Sequence, residues 1–212
     1  MRCKKEMLIL YAVTDRSWVG KKTLKEQVES AIKGGATCVQ LREKNLDETA
    51  FFEEAVVIRK LCKEYNVPFI VNDNVEIAVK CKADGIHVGQ SDMEAANVRA
   101  LVGSQMIIGV SAQTKEQALA AQKAGADYLG VGAVFSTSTK LDAADVSYDT
   151  LKEICESVEI PVVAIGGINK NNIMKLSGSG ADGVAVVSAI FAAENIEKET
   201  RELKKLSLEM IK

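Results

Sequence analysis

Three cations and two carboxylates in this chain sit where short apolar runs stop. Arg42 and Lys44 come after Ala36-Thr37-Cys38-Val39, and Lys140 comes soon after Tyr128-Leu129-Gly130-Val131. Asp73 follows Phe69-Ile70-Val71 and Asn72, and Asp92 follows Ile86-His87-Val88-Gly89. Buried charges need partners or ligands, so polar groups repeated at one end of successive runs point to a shared site. Arg offers a planar fork of donors and Lys a mobile point charge, a combination suited to a diphosphate. Carboxylates beside such an anion would repel it unless a hard cation lay between. Mg²⁺, held by one or two carboxylates, phosphate oxygens and water, meets that need. Either Asp alone would equally suit an exposed surface or a helix N-cap.

A second anion site is expected nearer the C-terminus. Gly166-Gly167 lets backbone come close, and Val187-Ser188-Ala189-Ile190 ends one apolar run and opens a helix. Small-residue loops and helix N-termini in that position bind phosphate through backbone N–H groups. His87 is the only histidine and falls inside an apolar run, so it is expected to be a hydrogen-bonded interior residue. With one His and scattered Cys, neither a Ser-His-Asp set nor a zinc site can be assembled. Trp18 reads equally as a lid over an aromatic substrate or as a loop anchor.

These residues need elements to hold them, and a hidden repeat supplies the plan. Gly35-Ala36-Thr37, Ala83-Asp84-Gly85, Gly125-Ala126-Asp127 and Gly180-Ala181-Asp182 each lie between a helical pattern and a short apolar run. They are expected to open the second, fourth, sixth and eighth strands. The odd strands read as 7–13, 69–71, 106–110 and 162–165, with Pro68 and Pro161 at the entrance of two of them, where a missing N–H is tolerated. Amphipathic stretches at 24–33, 48–65, 115–124 and 148–158 alternate with these runs. Phe51, Ala55, Ile58 and Cys62 illustrate the helical spacing. A final helix over 196–211 is expected to bury Leu203, Leu206 and Ile211. Strands alternating with helices imply a parallel sheet buried on both faces. The first strand lacks the Gly-rich loop of an open dinucleotide-binding sheet. The expectation is α/β, a closed (β/α)8 TIM barrel, as one domain over residues 1–212, with its site at the carboxyl ends of the strands.

Composition bounds the function. The net charge of −2 and the absence of a basic run argue against nucleic acid as a partner. The apolar run at 7–13 is broken by Asp15 and Arg16, too short for a membrane span or a signal segment. Five scattered cysteines with no C-x-x-C read as reduced thiols in a cytoplasmic protein. Nothing in the sequence argues for or against a homo-oligomer.

Taken in order, the strand-end residues resemble the thiamine-phosphate synthase family over nearly the whole chain. The matching segments are Tyr11-Ala12-Val13-Thr14-Asp15, Gln40-Leu41-Arg42-Glu43-Lys44, Asn72-Asp73 and the run from Ala83 to Asp92. Gly109-Val110-Ser111, Thr137-Ser138-Thr139-Lys140, Ala164-Ile165-Gly166-Gly167-Ile168 and Val187-Ser188-Ala189-Ile190 complete the set. The resemblance implies a transferase of thiamine biosynthesis acting on two phosphorylated small molecules. It would join 4-amino-2-methyl-5-hydroxymethylpyrimidine diphosphate to 4-methyl-5-(2-phosphoethyl)thiazole, or its carboxylate form, giving thiamine phosphate and diphosphate. By the same resemblance Gln40, Leu41, Arg42, Glu43, Lys44, Asn72, Ser111 and Lys140 would hold the pyrimidine diphosphate. Asp73 and Asp92 would hold one Mg²⁺ per subunit. Thr137, Ser138, Thr139, Gly167, Val187 and Ser188 would hold the thiazole phosphate. Arg42, Lys44 and Lys140 would be catalytic, absorbing charge on the leaving diphosphate.

The chain departs from the family at one loop. The family commonly has Gly-Pro before its Thr-rich loop and another Pro inside it, whereas here the segment reads Gly132-Ala133-Val134-Phe135-Ser136-Thr137-Ser138-Thr139-Lys140. Without prolines that loop is expected to be less restricted and slower to close, with its ligands kept. The related thiazole tautomerases carry His shortly after the strand-five Ser and lack the Thr-rich Lys loop; here Gln113 stands two after Ser111. A non-catalytic sensor would need neither both carboxylates nor all three cations, and a sugar-phosphate epimerase would want histidines this chain lacks.

Overall fold

The computed structural model describes residues 3–20, 22–89, 95–136 and 145–212, with residues 95 and 96 described by backbone only. Its eight strands close into one parallel barrel in sequence order, each hydrogen-bonded to the next and the eighth to the first. The strands are β1 (Leu10–Val13), β2 (Cys38–Leu41), β3 (Phe69–Asn72), β4 (Gly85–Val88), β5 (Ile107–Ala112), β6 (Tyr128–Val131), β7 (Val162–Ile165) and β8 (Gly183–Val186). Helices α1 (Leu24–Gly34), α2 (Glu48–Glu64), α3 (Val75–Lys80), α4 (Ala95–Val102), α5 (Lys115–Lys123) and α6 (Tyr148–Ser157) fill the first six crossovers. The seventh crossover carries only a 3₁₀ turn, Ile173–Leu176. Helices α7 (Ser188–Phe191) and α8 (Ile196–Met210) follow β8.

Two differences from the sequence reading concern the first and fifth strands. Residues Lys5–Leu8 form a 3₁₀ helix rather than the start of β1. Met7 and Leu8 are buried there with Tyr11, Cys38, Ile107 and Tyr128, so their apolar character serves the barrel interior and not a strand. The fifth strand runs on to Ala112 because Ser111 pairs with Gly130 and Ala112 with Val131. A third difference lies in α8. Its buried stripe is Ile196, Thr200, Leu203, Ser207 and Met210, with Leu206 at its margin, while Ile211 follows the helix and is exposed.

The repeat has a structural meaning. At the entrance of each even strand a side chain accepts a hydrogen bond from the backbone N–H of a neighbouring odd strand. Thr37 Oγ1 accepts from Leu10 at 2.8 Å, Asp84 Oδ2 from Phe69 at 2.9 Å, Asp127 Oδ2 from Ile108 at 2.9 Å and Asp182 Oδ2 from Val162 at 2.9 Å. The backbone N–H of each returns a bond to the carbonyl of the same odd-strand residue. Each carboxylate also meets a cation: Arg59 at 3.3 Å, Arg99 at 2.6 Å and Lys5 at 2.7 Å respectively. Four polar clamps thus hold the end of the barrel opposite the strand C-termini. An outer core between strands and helices includes Phe51, Ala55, Ile58 and Cys62, as the helical spacing of α2 requires. The five cysteines are all unpaired thiols.

Candidate active site

Each candidate residue is held by the end of a particular strand. Gln40, near the end of β2, is buried with its amide Nε2 donating to Tyr11 OH at 2.8 Å. Leu41 faces the outer core and is fully buried, so any contact it makes at the mouth comes from its backbone. Just beyond, the Arg42 N–H donates to the buried Thr14 hydroxyl at 3.0 Å, tying the β2 exit to the β1 exit. The Arg42 guanidinium lies 3.5 Å from Asp15 Oδ2.

Glu43 has a different orientation. Its carboxylate is 1% exposed and receives Arg16 Nε at 3.1 Å on Oε2. Its Oε1 lies 3.0 Å from the same guanidinium without hydrogen-bond geometry. Arg16 also pairs with Glu54 of α2. Glu43 therefore anchors the loop after β1, which a negative charge beside a diphosphate would not do for free. Trp18, in the short 3₁₀ turn Arg16–Trp18, keeps its side chain exposed while its carbonyl accepts from Gln27 Nε2 at 2.7 Å. The backbone at Trp18 is the anchor, and its ring remains available to solvent.

At the end of β3, Asn72 is buried and in register with His87. Asp73 adopts φ 62°, a left-handed conformation that costs a non-glycine residue energy and recurs at functional positions. It is held by its N–H donating to the His87 carbonyl at 2.8 Å. The helix cap here is Asn74, whose Oδ1 accepts from Ile77 N at 2.9 Å, so Asp73 is not spent on capping α3. Its Oδ2 instead meets Lys44 Nζ at 2.6 Å. A cation and a hard carboxylate from neighbouring strand ends thus touch at one point of the mouth.

Ser111 sits within β5, with Oγ 3.0 Å from His87 Nε2. His87 reaches Tyr128 OH through Nδ1 at 3.0 Å, the interior role expected of it. Gln113, in the position where tautomerases carry His, has its N–H held by Gln117 Oε1 at 2.7 Å at the start of α5.

The glycine pair after β7 has a packing role of its own. A Cβ on Gly167 would stand 2.5 Å from the Ser136 carbonyl oxygen, and one on Gly166 would stand 2.5 Å from Ala133 Cα. The backbone they let come close is that of residues 133–136, joined by Val134 N to Ile165 O at 3.0 Å and Phe135 N to Gly166 O at 3.1 Å. Gly167 thereby lets residues 135 and 136 pack directly on the β7 exit. Val187 is half-buried and Ser188 is the exposed first residue of α7, where first-turn N–H groups lack partners within the helix. A cleft of about 470 Å³ between Lys170, α7 and the first turns of α8 reaches these residues at Ser188.

Gln40, Arg42, Lys44, Asn72, Asp73 and Ser111 all stand at or just past the C-terminal ends of β2, β3 and β5, and Lys44 touches Asp73. Asp92, Thr137, Ser138, Thr139 and Lys140 lie outside the described residues, so the proline-free stretch is described only as far as Ser136. Sequence reasoning missed Arg16 and Asp15 as partners of Glu43 and Arg42, and it missed the polar tips of Tyr11 and Tyr128. The tyrosines left a trace: both stand in apolar strand runs, and Gly109 in the run before Tyr128 leaves space beside its ring. Among the described residues no helix is long and apolar enough to cross a membrane.

Comparison with known proteins gives the family and the fold. The family model described as thiamine monophosphate synthase matches residues 10–190. Thiamine-phosphate synthase of Clostridium botulinum is 53% identical over 195 residues, covering 92% of each chain. That of Clostridium tetani is 52% identical over 194 residues, covering 92% of this chain and 93% of the relative. The solved structure of thiamine phosphate pyrophosphorylase from Pyrococcus furiosus superposes with a TM-score of 0.91 at 42% identity, over 98% of this chain and 99% of that one. With its strand-end residues on a barrel of that shape, the chain belongs to the thiamine monophosphate synthase family, enzymes of thiamine biosynthesis.

Proposed function

We propose that this protein is a transferase that condenses 4-amino-2-methyl-5-hydroxymethylpyrimidine diphosphate with 4-methyl-5-(2-phosphoethyl)thiazole, or its carboxylate form, to give thiamine phosphate and diphosphate. The observation that carries the reading is the meeting of Lys44 Nζ and Asp73 Oδ2 at 2.6 Å, with Arg42 on the same strand exit as Lys44. A metal-neutralised diphosphate needs that combination of mobile cation, planar donor fork and hard oxygen.

The donor set fits Mg²⁺. Asp73 presents a carboxylate oxygen to which an ammonium is already drawn, and the ion requires only one or two carboxylates because water and phosphate oxygens complete its shell. Asp73 and Asp92 would hold one ion per subunit. When bound it would offset charge on the diphosphate. Arg42, Lys44 and Lys140 would grip the diphosphate oxygens, with Gln40, Asn72 and Ser111 along the same substrate. Glu43 would act through Arg16 and Leu41 through its backbone. Thr137, Ser138, Thr139, Gly167, Val187 and Ser188 would seat the thiazole phosphate, largely by N–H groups and hydroxyls.

The bond changes are simple. The methylene C–O bond breaks with its electron pair leaving on diphosphate, and the electron-rich aminopyrimidine supports the methylene cation. The thiazole nitrogen lone pair then forms the new C–N bond. No proton moves in forming that bond, which suits a mouth rich in cations and without a described general base. Rate enhancement comes from electrostatic stabilisation of the departing charge.

Incubating the purified chain with both substrates and Mg²⁺ should yield thiamine phosphate and diphosphate, and a chelator should abolish the product. Binding of both substrates without product would replace the enzyme with a sensor. Undiminished product in excess chelator would remove the metal from the reading.

A further inference from the structure

One chain of hydrogen bonds runs through the barrel interior by way of residues to which the condensation gives no part. Gln40 Nε2 donates to Tyr11 OH at 2.8 Å, and the Tyr11 and Tyr128 hydroxyls are 2.9 Å apart. Tyr128 OH lies 3.0 Å from His87 Nδ1, and His87 Nε2 lies 3.0 Å from Ser111 Oγ. The path leads from β2 to β1, across the interior to β6, and through β4 to β5. The tyrosine rings meet edge to face with centroids 6.0 Å apart, and His87 tilts against Tyr128 at 5.5 Å.

Glycines make room for it. His87, Gly109 and Tyr128 are register partners in a row across β4, β5 and β6. A Cβ on Gly109 would overlap the Tyr128 ring and hydroxyl and stand 2.5 Å from His87 Nδ1. A Cβ on Gly130 would stand 3.0 Å from His87 Cε1. Glycine weakens a strand interior, and here the missing side chains are where the histidine and tyrosine join.

Each member has few hydrogens to place. A phenol has one and a neutral imidazole has one N–H. Burial, the largest cause in each case, pushes both phenols well above their ordinary 10.0, so they remain neutral donors. With the Gln40 amide N–H entering at one end, Tyr11 passes its hydrogen to Tyr128 and Tyr128 passes its own to His87 Nδ1. The imidazole then carries its N–H on Nε2 and gives it to Ser111 Oγ. Gln40 is left with its carbonyl turned away from Tyr11, and Ser111 with its hydrogen turned away from His87. Amide and tautomer are assigned here from the bonding pattern, and reversing one link reverses them all.

We propose that Tyr11, Tyr128 and His87 are positioning residues, a one-way hydrogen-bond chain that turns the Gln40 carbonyl away from Tyr11 as an acceptor and fixes Ser111 as a donor at the barrel mouth. The chain links two groups on different walls, so the direction of one is coupled to that of the other. That these two groups meet the pyrimidine diphosphate rests on the function proposed above; the chain itself does not.

Because the protein has a single histidine, ¹⁵N-histidine labelling of the full chain reports one imidazole. The Nε2–H tautomer is expected, and an Nδ1–H tautomer would overturn the direction. Tyr128→Phe keeps the ring and removes the hydroxyl, so the Nδ1 shift should move; an unmoved shift overturns the link. Should Tyr128→Phe fail to fold, as judged by circular dichroism, Tyr11→Phe tests the same chain one step further away. These readings need no activity and stand apart from the identity of the substrates. In turnover, Tyr128→Phe should lower kcat/KM for the pyrimidine diphosphate about tenfold while leaving KM for the thiazole phosphate unchanged. In a Ser111→Ala background the same substitution should cost little more. Equal losses in both backgrounds overturn the coupling.

Discussion

At the scale of single residues, the site is a set of charges already in use. Arg42 leans on Asp15 and Lys44 on Asp73, both partly exposed pairs, so each cation can turn to a phosphate without leaving a charge stranded. Arg42→Ala, Lys44→Ala and Lys140→Ala should each lower kcat by about 10²–10³, the usual loss for one preorganised charge-stabilising donor. Near-normal turnover in any of them would remove that residue from the mechanism. Arg42→Lys should recover little of the loss at this position, because an ammonium cannot reproduce the planar fork. Away from the mouth, burial pushes the thiols of Cys3, Cys62 and Cys155 up to about 12 from an ordinary 9.0. Above pH 9 the unfolded chain would shed protons that the folded chain keeps. The contribution of these thiols to stability is therefore full below pH 9 and declines as pH rises toward 12, by at most about 1.4 kcal/mol per pH unit per thiol. Urea midpoints measured across that interval should fall, and the fall should be shallower in Cys62→Ala.

At the scale of elements, strands and helices follow local rules closely. Capping boxes at Thr23–Glu26 and Thr114–Gln117 begin α1 and α5, and side chains of Asp47, Asn74, Ser147 and Asn195 cap four other helices. Apolar spacing and these caps make most helix bounds legible to within a residue or two. What local rules do not reveal is which face of a short apolar strand looks inward. Met7 and Leu8 read as strand and are a plug, and Ser111 reads as a loop residue and lies in β5. The inward glycines are another such case. Gly109→Ala must displace Tyr128 or His87, so a loss of about 1–3 kcal/mol is expected from overpacking. Gly20→Ala, with open space around its Cβ, should be close to neutral. Thermal melts of the pair check this, and equal melting temperatures would contradict the packing of the chain beside Gly109.

At the scale of the whole molecule, the barrel divides its two ends between different tasks. The strand C-termini carry the candidate site, and the opposite end carries the four clamps at Thr37, Asp84, Asp127 and Asp182. Asp127→Ala leaves the Ile108 N–H and the Arg99 guanidinium without that carboxylate, which should cost about 2–4 kcal/mol. Thr37→Val removes a hydroxyl that accepts from the Leu10 N–H and donates to the Leu10 carbonyl, and should cost about 1–2 kcal/mol. Urea denaturation of both should show one transition at a lower midpoint, because opening one seam of a closed barrel exposes edges all round. Separate transitions would mean the clamps act locally. Substrate affinity should change little in either variant, since the clamps lie at the end away from the mouth.

The amino-acid sequence by itself determined the barrel, because eight short apolar runs alternating with amphipathic stretches leave one economical way to bury both faces of a parallel sheet. It also placed Gln40, Arg42, Lys44, Asn72 and Asp73 at or just past strand ends, since a strand end is a position along the chain. Tertiary structure alone decided how those residues are engaged. That Glu43 serves Arg16, that Gly167 makes room for residues 135 and 136, and that Gln40 and Ser111 share one line of hydrogen bonds all depend on side chains from distant strands meeting in space. Arg42, Lys44 and Asp73 were legible as a cationic and metal-suited group because their chemistry is carried by their own types. The positions of their partners were not, because a hydrogen bond between Tyr11 and Tyr128 joins residues 117 apart in sequence, and only closure of the barrel brings them within reach.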